Sequence, residues 1–131
     1  NPKDFAKLLA PIYGLKIAKQ FQDLFTQHLL IAGDLVTAAK NAETDDANYA
    51  RKRWYKNADD IAEFLSSINP YWDAAEWKAM LYSHLKMTEQ EATLRLQESY
   101  LADIQMFDSI EAEALKMANY MFYGINKDCF R

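Results

Sequence analysis

The chain contains two histidines, His28 and His84, and each lies on the apolar face of a predicted helix. An aromatic residue stands seven positions before each histidine and an apolar residue four positions before it. Because residues three or four apart share one face of a helix, both imidazoles are predicted to point toward a core. A buried polar ring without a partner costs a few kcal/mol, so something polar must lie beside each ring.

Candidate partners lie on two other predicted helices. Asn57 falls on the apolar face of the third helix, and Asp108 and Glu111 fall on the apolar face of the last one, one turn apart. Buried carboxylates persist in proteins when they are paired or bound to a cation. The spacing therefore predicts one polar site inside the bundle that combines both histidines with Asn57, Asp108 and Glu111.

Two kinds of chemistry fit these five side chains. Two imidazoles with carboxylates suit a divalent transition metal such as Zn, Fe, Mn or Ni, with coordination positions left open for water or substrate. The other interpretation is a hydrogen-bond network in which the histidines donate to the acids and Asn57 completes the set. The sequence contains no tight metal-binding motif, so both interpretations stay open.

The composition predicts an all-α fold. Only three glycines and three prolines occur in 131 residues, fewer than the turns of sheets, sandwiches or phosphate loops require. Apolar periodicity and capping residues predict five helices, over 2–11, 15–42, 44–68, 73–87 and 88–126. The last two could also form one kinked helix. Short connections favour an antiparallel up-and-down bundle, similar to a four-helix bundle, as a single domain over 1–131.

Charge and cysteine content exclude several classes of function. A net charge of −4 provides no basic field for phosphates, and the triplet Arg51-Lys52-Arg53 is interpreted as a solvated helix face, so nucleic acid is not an expected partner. The longest apolar runs are too short to span a bilayer, and no signal peptide is visible, so no membrane association is expected. Cys129 is the single cysteine, so no intrachain disulfide can form, which favours a cytoplasmic location.

Four segments carry a family resemblance: NPKDFAKLLAPIYG (1–14), FTQHLLIAGDLVTAAK (25–40), RWYKNADDIAEFLSSINPYW (53–72) and MLYSHLKMTEQEATLRL (80–96). They resemble a family of small clostridial and bacillar helical proteins, some of which carry the label acetylglutamate kinase. Amino-acid kinases are α/β proteins with glycine-rich loops, so that activity is not expected here. The resemblance implies a further upstream helix with a Trp and a His. Without it, the bundle would have an open groove covered by a second copy, which implies a homodimer.

Two functions follow from these expectations. In the first, the bundle binds a metal, with His28 and His84 as nitrogen ligands and Asp108 and Glu111 as oxygen ligands, which would allow hydrolase or oxidoreductase chemistry. In the second, the protein is not catalytic, its polar network determines packing, and an exposed apolar edge mediates self-association. The sequence indicates no particular reaction.

Overall fold

A computed structural model describes residues 1–130, and in this range the chain forms five α-helices and no strand. Neighbouring helices contact one another, so the prediction of an all-α helical bundle is confirmed. The helices are α1 (Pro2–Tyr13), α2 (Leu15–Lys40), α3 (Thr44–Ile68), α4 (Ala74–Leu96) and α5 (Tyr100–Cys129).

The chain divides into two compact units, one over Asn1–Phe64 and one that begins at Leu65. The prediction of a single domain over 1–131 stays a prediction.

In the first unit, α2 and α3 run antiparallel, because residues late in one helix contact residues early in the other. The pairs are Phe21 with Phe64, His28 with Asn57 and Asp34 with Arg53. The buried apolar side chains of this unit are alanine or aliphatic apart from Phe21 and Trp54. Both of the polar side chains buried here, His28 and Asn57, belong to the predicted site.

In the second unit, α4 and α5 also run antiparallel. Arg95 near the end of α4 contacts Asp103 near the start of α5, and Trp77 near the start of α4 contacts Tyr120 toward the end of α5. The connection is short and includes Glu98 with a φ of 59°, a left-handed conformation that stops the helix.

The predicted break between helices at positions 87 and 88 is wrong, because α4 continues to Leu96. Thr88 precedes Glu91 by three residues, the spacing of a capping box and the basis of the predicted helix start, but its hydroxyl donates to the His84 carbonyl one turn earlier, at 2.8 Å. A threonine that bonds back in this way sits inside a continuing helix. Asp73, by contrast, caps α4 as predicted and accepts a hydrogen bond from the Glu76 backbone at 2.9 Å.

The first helix also runs further than predicted. It begins at Pro2, with Asn1 as its cap, and passes through Pro11 to Tyr13. Gly14, with a φ of 88°, then ends it. A proline so close to the end costs only one intrahelical hydrogen bond, so the helix can complete its last turn.

The face of α5 that packs in the second unit is not the one predicted. The predicted face, on which Asp108 and Glu111 lie, also carries Ile104, Phe107, Leu115 and Phe122, and these four side chains are more than half exposed. The side chains that turn away from solvent instead follow the register 103, 106, 110, 113, 117, 120 and 124. This register is rotated by about one residue, or 100°, from the predicted stripe.

Candidate functional site

His28 and Asn57 form a buried polar cluster between α2 and α3. The Nδ1 atom of His28 lies 2.7 Å from Oδ1 of Asn57, and the two residues are 6% and 4% exposed. The Asn57 amide nitrogen donates in turn to the backbone carbonyl of Leu24 at 3.1 Å. The structure thus brings two of the five predicted site residues together, with an amide rather than an acid as the partner of the ring.

The chemistry of this cluster determines which nitrogen of His28 carries the proton. A backbone carbonyl can only accept, so the NH₂ group of Asn57 must face Leu24 and its oxygen must face the ring. Nδ1 of His28 is then the donor, and in the neutral ring Nε2 carries the lone pair. Because Nδ1 carries the proton that it donates to Asn57, Nε2 is the ring nitrogen whose lone pair is of the kind that binds a metal.

Trp54 covers one side of this cluster. Its ring centroid lies 5.4 Å from that of His28, with the two planes 31° apart. The indole Nε1 of Trp54 is buried and has no hydrogen-bond partner among residues 1–130. Trp54 is therefore a direct neighbour of the imidazole of the predicted site.

In the second unit, His84 lies near Glu113 rather than near the predicted acids. His84 is half-buried on α4, and the carboxylate of Glu113 on α5 acts electrostatically on it. Neither His84 Nδ1 nor Glu113 Oε1 has a hydrogen-bond partner within the described chain, and the carboxylate has an ion-pair contact with Lys116 at 4.0 Å. Two adjacent helices, α4 and α5, thus each carry one buried polar atom that has no hydrogen bond within the described chain.

Burial lowers the pKa of His84 below its ordinary value of 6.5, and the nearby Glu113 carboxylate opposes this shift only in part. The folded protein therefore binds a proton at His84 less readily than the unfolded chain does. The contribution of neutral His84 to stability is present above pH 6.5 and is lost as the pH falls through the lowered pKa.

This shift leads to a pH prediction for a His84→Gln variant. We expect the free energy of unfolding of the unaltered protein to fall between pH 7.5 and pH 5.5, and the fall to be smaller in the variant. Urea denaturation followed by circular dichroism at the two pH values measures both. An equal fall in the two proteins would show that burial of His84 does not oppose its protonation.

Asp108 and Glu111 do not face a core. Both side chains are exposed on α5, because the packed face of that helix is rotated away from the predicted stripe. Among the described residues, no three side chains of His, Cys, Asp or Glu come together as a group that could hold a metal ion. The interpretation of these two acids as inward-facing is corrected, and metal binding by the five predicted residues stays a prediction.

A buried carboxylate that the sequence analysis missed is Asp103. Its side chain is 3% exposed, and one of its oxygens, Oδ2, accepts from both Nε and Nη2 of Arg95, at 2.9 and 2.8 Å. The other oxygen, Oδ1, is buried without a partner in the range 1–130. In the sequence, this ion pair is indicated only by the spacing of eight residues between Arg95 and Asp103. The spacing is informative only when the break between helices is placed at 97–99.

The surface of the first unit contains a groove between α2 and α3, with a volume of about 560 Å³. We call it the α2–α3 groove. Three cations line it from α3, and Leu30 and Ile31 form an apolar wall on α2. The remaining lining residues are Gln27, Tyr49, Asn57 and Asp60, and the cations are Lys52, Arg53 and Lys56.

Two of the groove's cations are held in place by neighbours. The Arg53 guanidinium lies 3.3 Å from Asp34 and 5.6 Å from the centre of the Tyr49 ring, and Lys56 forms an ion pair with Asp60. The interpretation of the triplet at 51–53 as a solvated helix face therefore misses that Lys52 and Arg53 border a groove.

No protein-family model, no curated protein and no solved structure matches this chain. The resemblance to the clostridial and bacillar family stays a prediction. Among the described residues, none of the helices combines the length and apolar character needed to cross a bilayer.

Proposed function

We propose that this chain is a non-catalytic helical-bundle protein that works by self-association, and that α5 provides the contact with a second copy. The observation that carries the proposal is a row of large apolar side chains on the surface of α5. Each of them is more than half exposed: Tyr100, Leu101, Ile104, Phe107, Leu115, Phe122 and Tyr123. We call this row the α5 apolar row.

The size of the α5 apolar row supports a stable partner. Soluble monomers rarely expose contiguous apolar patches larger than a few hundred Å². Four of the seven side chains are aromatic, and aromatic residues bury about 150–250 Å² each when covered. The row then amounts to an area on the order of 800 Å², which is what each partner contributes to a standard stable interface. A symmetric dimer is the commonest assembly that covers such a row twice.

The buried polar cluster supports a structural role for His28 and Asn57. The His28 ring contacts the Asn57 amide at 2.7 Å, the amide also donates to the Leu24 carbonyl, and Trp54 covers one side of the cluster. A satisfied buried network of this kind favours one packing arrangement of two helices over others. Metal binding ranks second to this structural role, because the carboxylates of Asp108 and Glu111 that it needs lie on the surface. Its ligands would be His28, Asn57, His84, Asp108 and Glu111.

The test replaces two residues of the α5 apolar row with glutamine, Ile104→Gln together with Leu115→Gln. We expect the dissociation constant of the dimer to rise by at least about 100-fold, because two large apolar side chains each lose about 1.5–3 kcal/mol of burial. Sedimentation equilibrium over a concentration series measures it, and circular dichroism checks that helicity is kept.

The matched control removes the same two residue types from a different surface. Leu8→Gln with Ile12→Gln changes a leucine and an isoleucine that are exposed on α1. This variant should keep the dissociation constant of the unaltered protein. A protein that sediments as a monomer before any substitution, or that loses its dimer equally in both double variants, would contradict the proposal.

A further inference from the structure

We infer that α5 meets the α5 of the second copy, and that the two helices pack antiparallel about a two-fold axis near residue 113. This inference rests on the proposed self-association and names the surface and the orientation of the contact. It assigns a role in orientation to two exposed acids that lie within the α5 apolar row, Asp108 and Glu111.

The exposed side of α5 has the spacing of a helix that packs lengthwise against another helix. Residues recur there at alternating intervals of three and four, and all of them are exposed: Leu101, Ile104, Asp108, Glu111, Leu115, Ala118 and Phe122. We call these seven positions the α5 seam. A two-fold contact uses the same surface on both copies, so one helix face can supply both halves of it.

The two acids of the α5 seam disfavour a parallel pair of helices. In a parallel pair each position faces itself, so Asp108 and Glu111 would each meet the same carboxylate of the second copy, which is unfavourable. In an antiparallel pair about residue 113, Asp108 lies level with position 118 of the other helix and Glu111 lies level with position 115. The two Asp108 side chains are then about 15 Å apart along the axis, and the two Glu111 side chains about 6 Å.

The antiparallel orientation also brings a cation to these acids. Lys116 follows both acids in the chain, and its side chain is 67% exposed. Its contact with Glu113 in its own copy is long, at 4.0 Å, so the ammonium group can turn toward a second copy. With the axis near residue 113, Lys116 of the second copy lies level with position 110, between Asp108 and Glu111. In a parallel pair it would lie beyond both acids.

The sizes of the side chains fit the same arrangement. Near the axis, Ala112, Ala114 and Ala118 are small and exposed, which allows two helix axes to approach to about 8–10 Å. Away from the axis, Ile104 of each copy lies level with Phe122 of the other. Both ends of the α5 apolar row are therefore covered by one contact.

Spin labels on one side of α5 test the orientation. Gln105→Cys, Ala112→Cys and Asn119→Cys are made singly in a Cys129→Ser background, at exposed positions seven residues apart. In the antiparallel dimer, equivalent labels are separated along the axis by about 24 Å at 105, 3 Å at 112 and 18 Å at 119. We expect the distance at 105 to exceed that at 112 by at least about 10 Å. Double electron–electron resonance measures the distances, with dipolar line broadening for the shortest.

A charge exchange tests the pairing of Asp108 with Lys116. Lys116→Glu should raise the dimer dissociation constant about 10-fold, because a like charge then faces the acids twice in the dimer. Asp108→Lys added to Lys116→Glu should bring the constant back toward its original value. Both variants lack the contact between Lys116 and Glu113, so the recovery arises between the copies.

The matched control is Lys86→Glu, which changes the net charge by the same amount at an exposed lysine on α4. It should keep the dissociation constant of the unaltered protein. Sedimentation equilibrium measures all the constants, and circular dichroism checks that each variant keeps its helicity.

The outcomes distinguish this inference from the proposed self-association. If the unaltered protein is monomeric, the proposed function fails, and this inference fails with it. If the protein is dimeric but the three label distances are equal, or the distance at 112 is the longest, the inference is overturned while self-association stands. A charge exchange that leaves the affinity as low as that of Lys116→Glu would also overturn it.

Discussion

Replacing Gly124 with alanine is expected to lower the free energy of unfolding by about 1–3 kcal/mol, because the new methyl group has no space. Gly124 is buried on α5, and an added Cβ would lie 2.7 Å from Cε2 of Trp72 and closer still to Nε1 and Cδ1 of the same ring. Real Cβ atoms do not approach other heavy atoms this closely, so the indole or the helix would have to move.

The indole of Trp72 cannot move without loss. It is 2% exposed, its Nε1 donates to the backbone carbonyl of Tyr120 at 3.2 Å, and its ring meets that of Trp77 edge-on at 5.9 Å. Trp77 packs in turn on Tyr120, with centroids 5.2 Å apart, and the Tyr120 hydroxyl accepts from the Asp73 backbone at 2.8 Å. A shift of the indole would strain this aromatic cluster and leave a buried donor unpaired.

Gly33 is a matched control for Gly124. Both glycines lie within helices, but a Cβ at Gly33 would meet nothing within 4 Å. Gly33→Ala should therefore stabilise the protein by about 0.5–1 kcal/mol, through the lower entropy of the unfolded chain alone. Urea denaturation of the two variants should give changes of opposite sign. If Gly124→Ala left the free energy of unfolding unchanged, Trp72 would have room to move. Combining Gly124→Ala with Trp72→Phe should recover part of the stability that Gly124→Ala loses.

The second large effect is expected for Asn57→Ala, which should cost about 2–4 kcal/mol. The substitution leaves Nδ1 of His28 buried without an acceptor and opens a cavity beside the ring. An unpaired buried donor bears the full cost of its lost hydration, whereas the hydrogen bond itself contributes only about 1 kcal/mol.

A double-mutant cycle separates these contributions. His28→Phe with Asn57→Leu replaces both polar groups with apolar ones of similar size, so no donor or acceptor of the pair stays unpaired. We expect the double variant to be more stable than the sum of the single changes predicts, by about 1–3 kcal/mol. Equilibrium denaturation of the four proteins gives the coupling. Additive effects would show that the 2.7 Å contact does not link the two residues energetically.

The two predicted site residues that the structure brings together lie on strongly periodic helices. His28 lies on a stripe of large apolar residues in α2, and Asn57 lies on the stripe of α3, so both faces were predictable from spacing alone. Their antiparallel pairing follows from the short connection between the two helices. That Asn57 rather than an acid would be the partner of the ring could not be predicted, since it depends on the register between α2 and α3.

The part that the sequence predicted wrongly lies on α5. This helix carries two rows of side chains about 100° apart around its axis, and the sequence predicts that the more hydrophobic row is buried. The packed stripe instead contains Asp103, Glu113 and Gly124, which lower its apparent hydrophobicity. Gly124 is on that stripe because the indole of Trp72 occupies the space of its side chain, a requirement that no local pattern reveals.

The amino-acid sequence by itself determined that this protein is helical, where most helices begin and end, and which residues of α2 and α3 turn inward, because these properties follow from local periodicity and capping. Only the tertiary structure decided the rotation of α5, the place of the α4–α5 break and the partners of both histidines. The physical reason is that the free energy of packing is a sum over contacts between residues that are far apart in the chain. The shape of one indole ring and the burial of one paired carboxylate, Asp103, can therefore outweigh the hydrophobicity of an entire stripe.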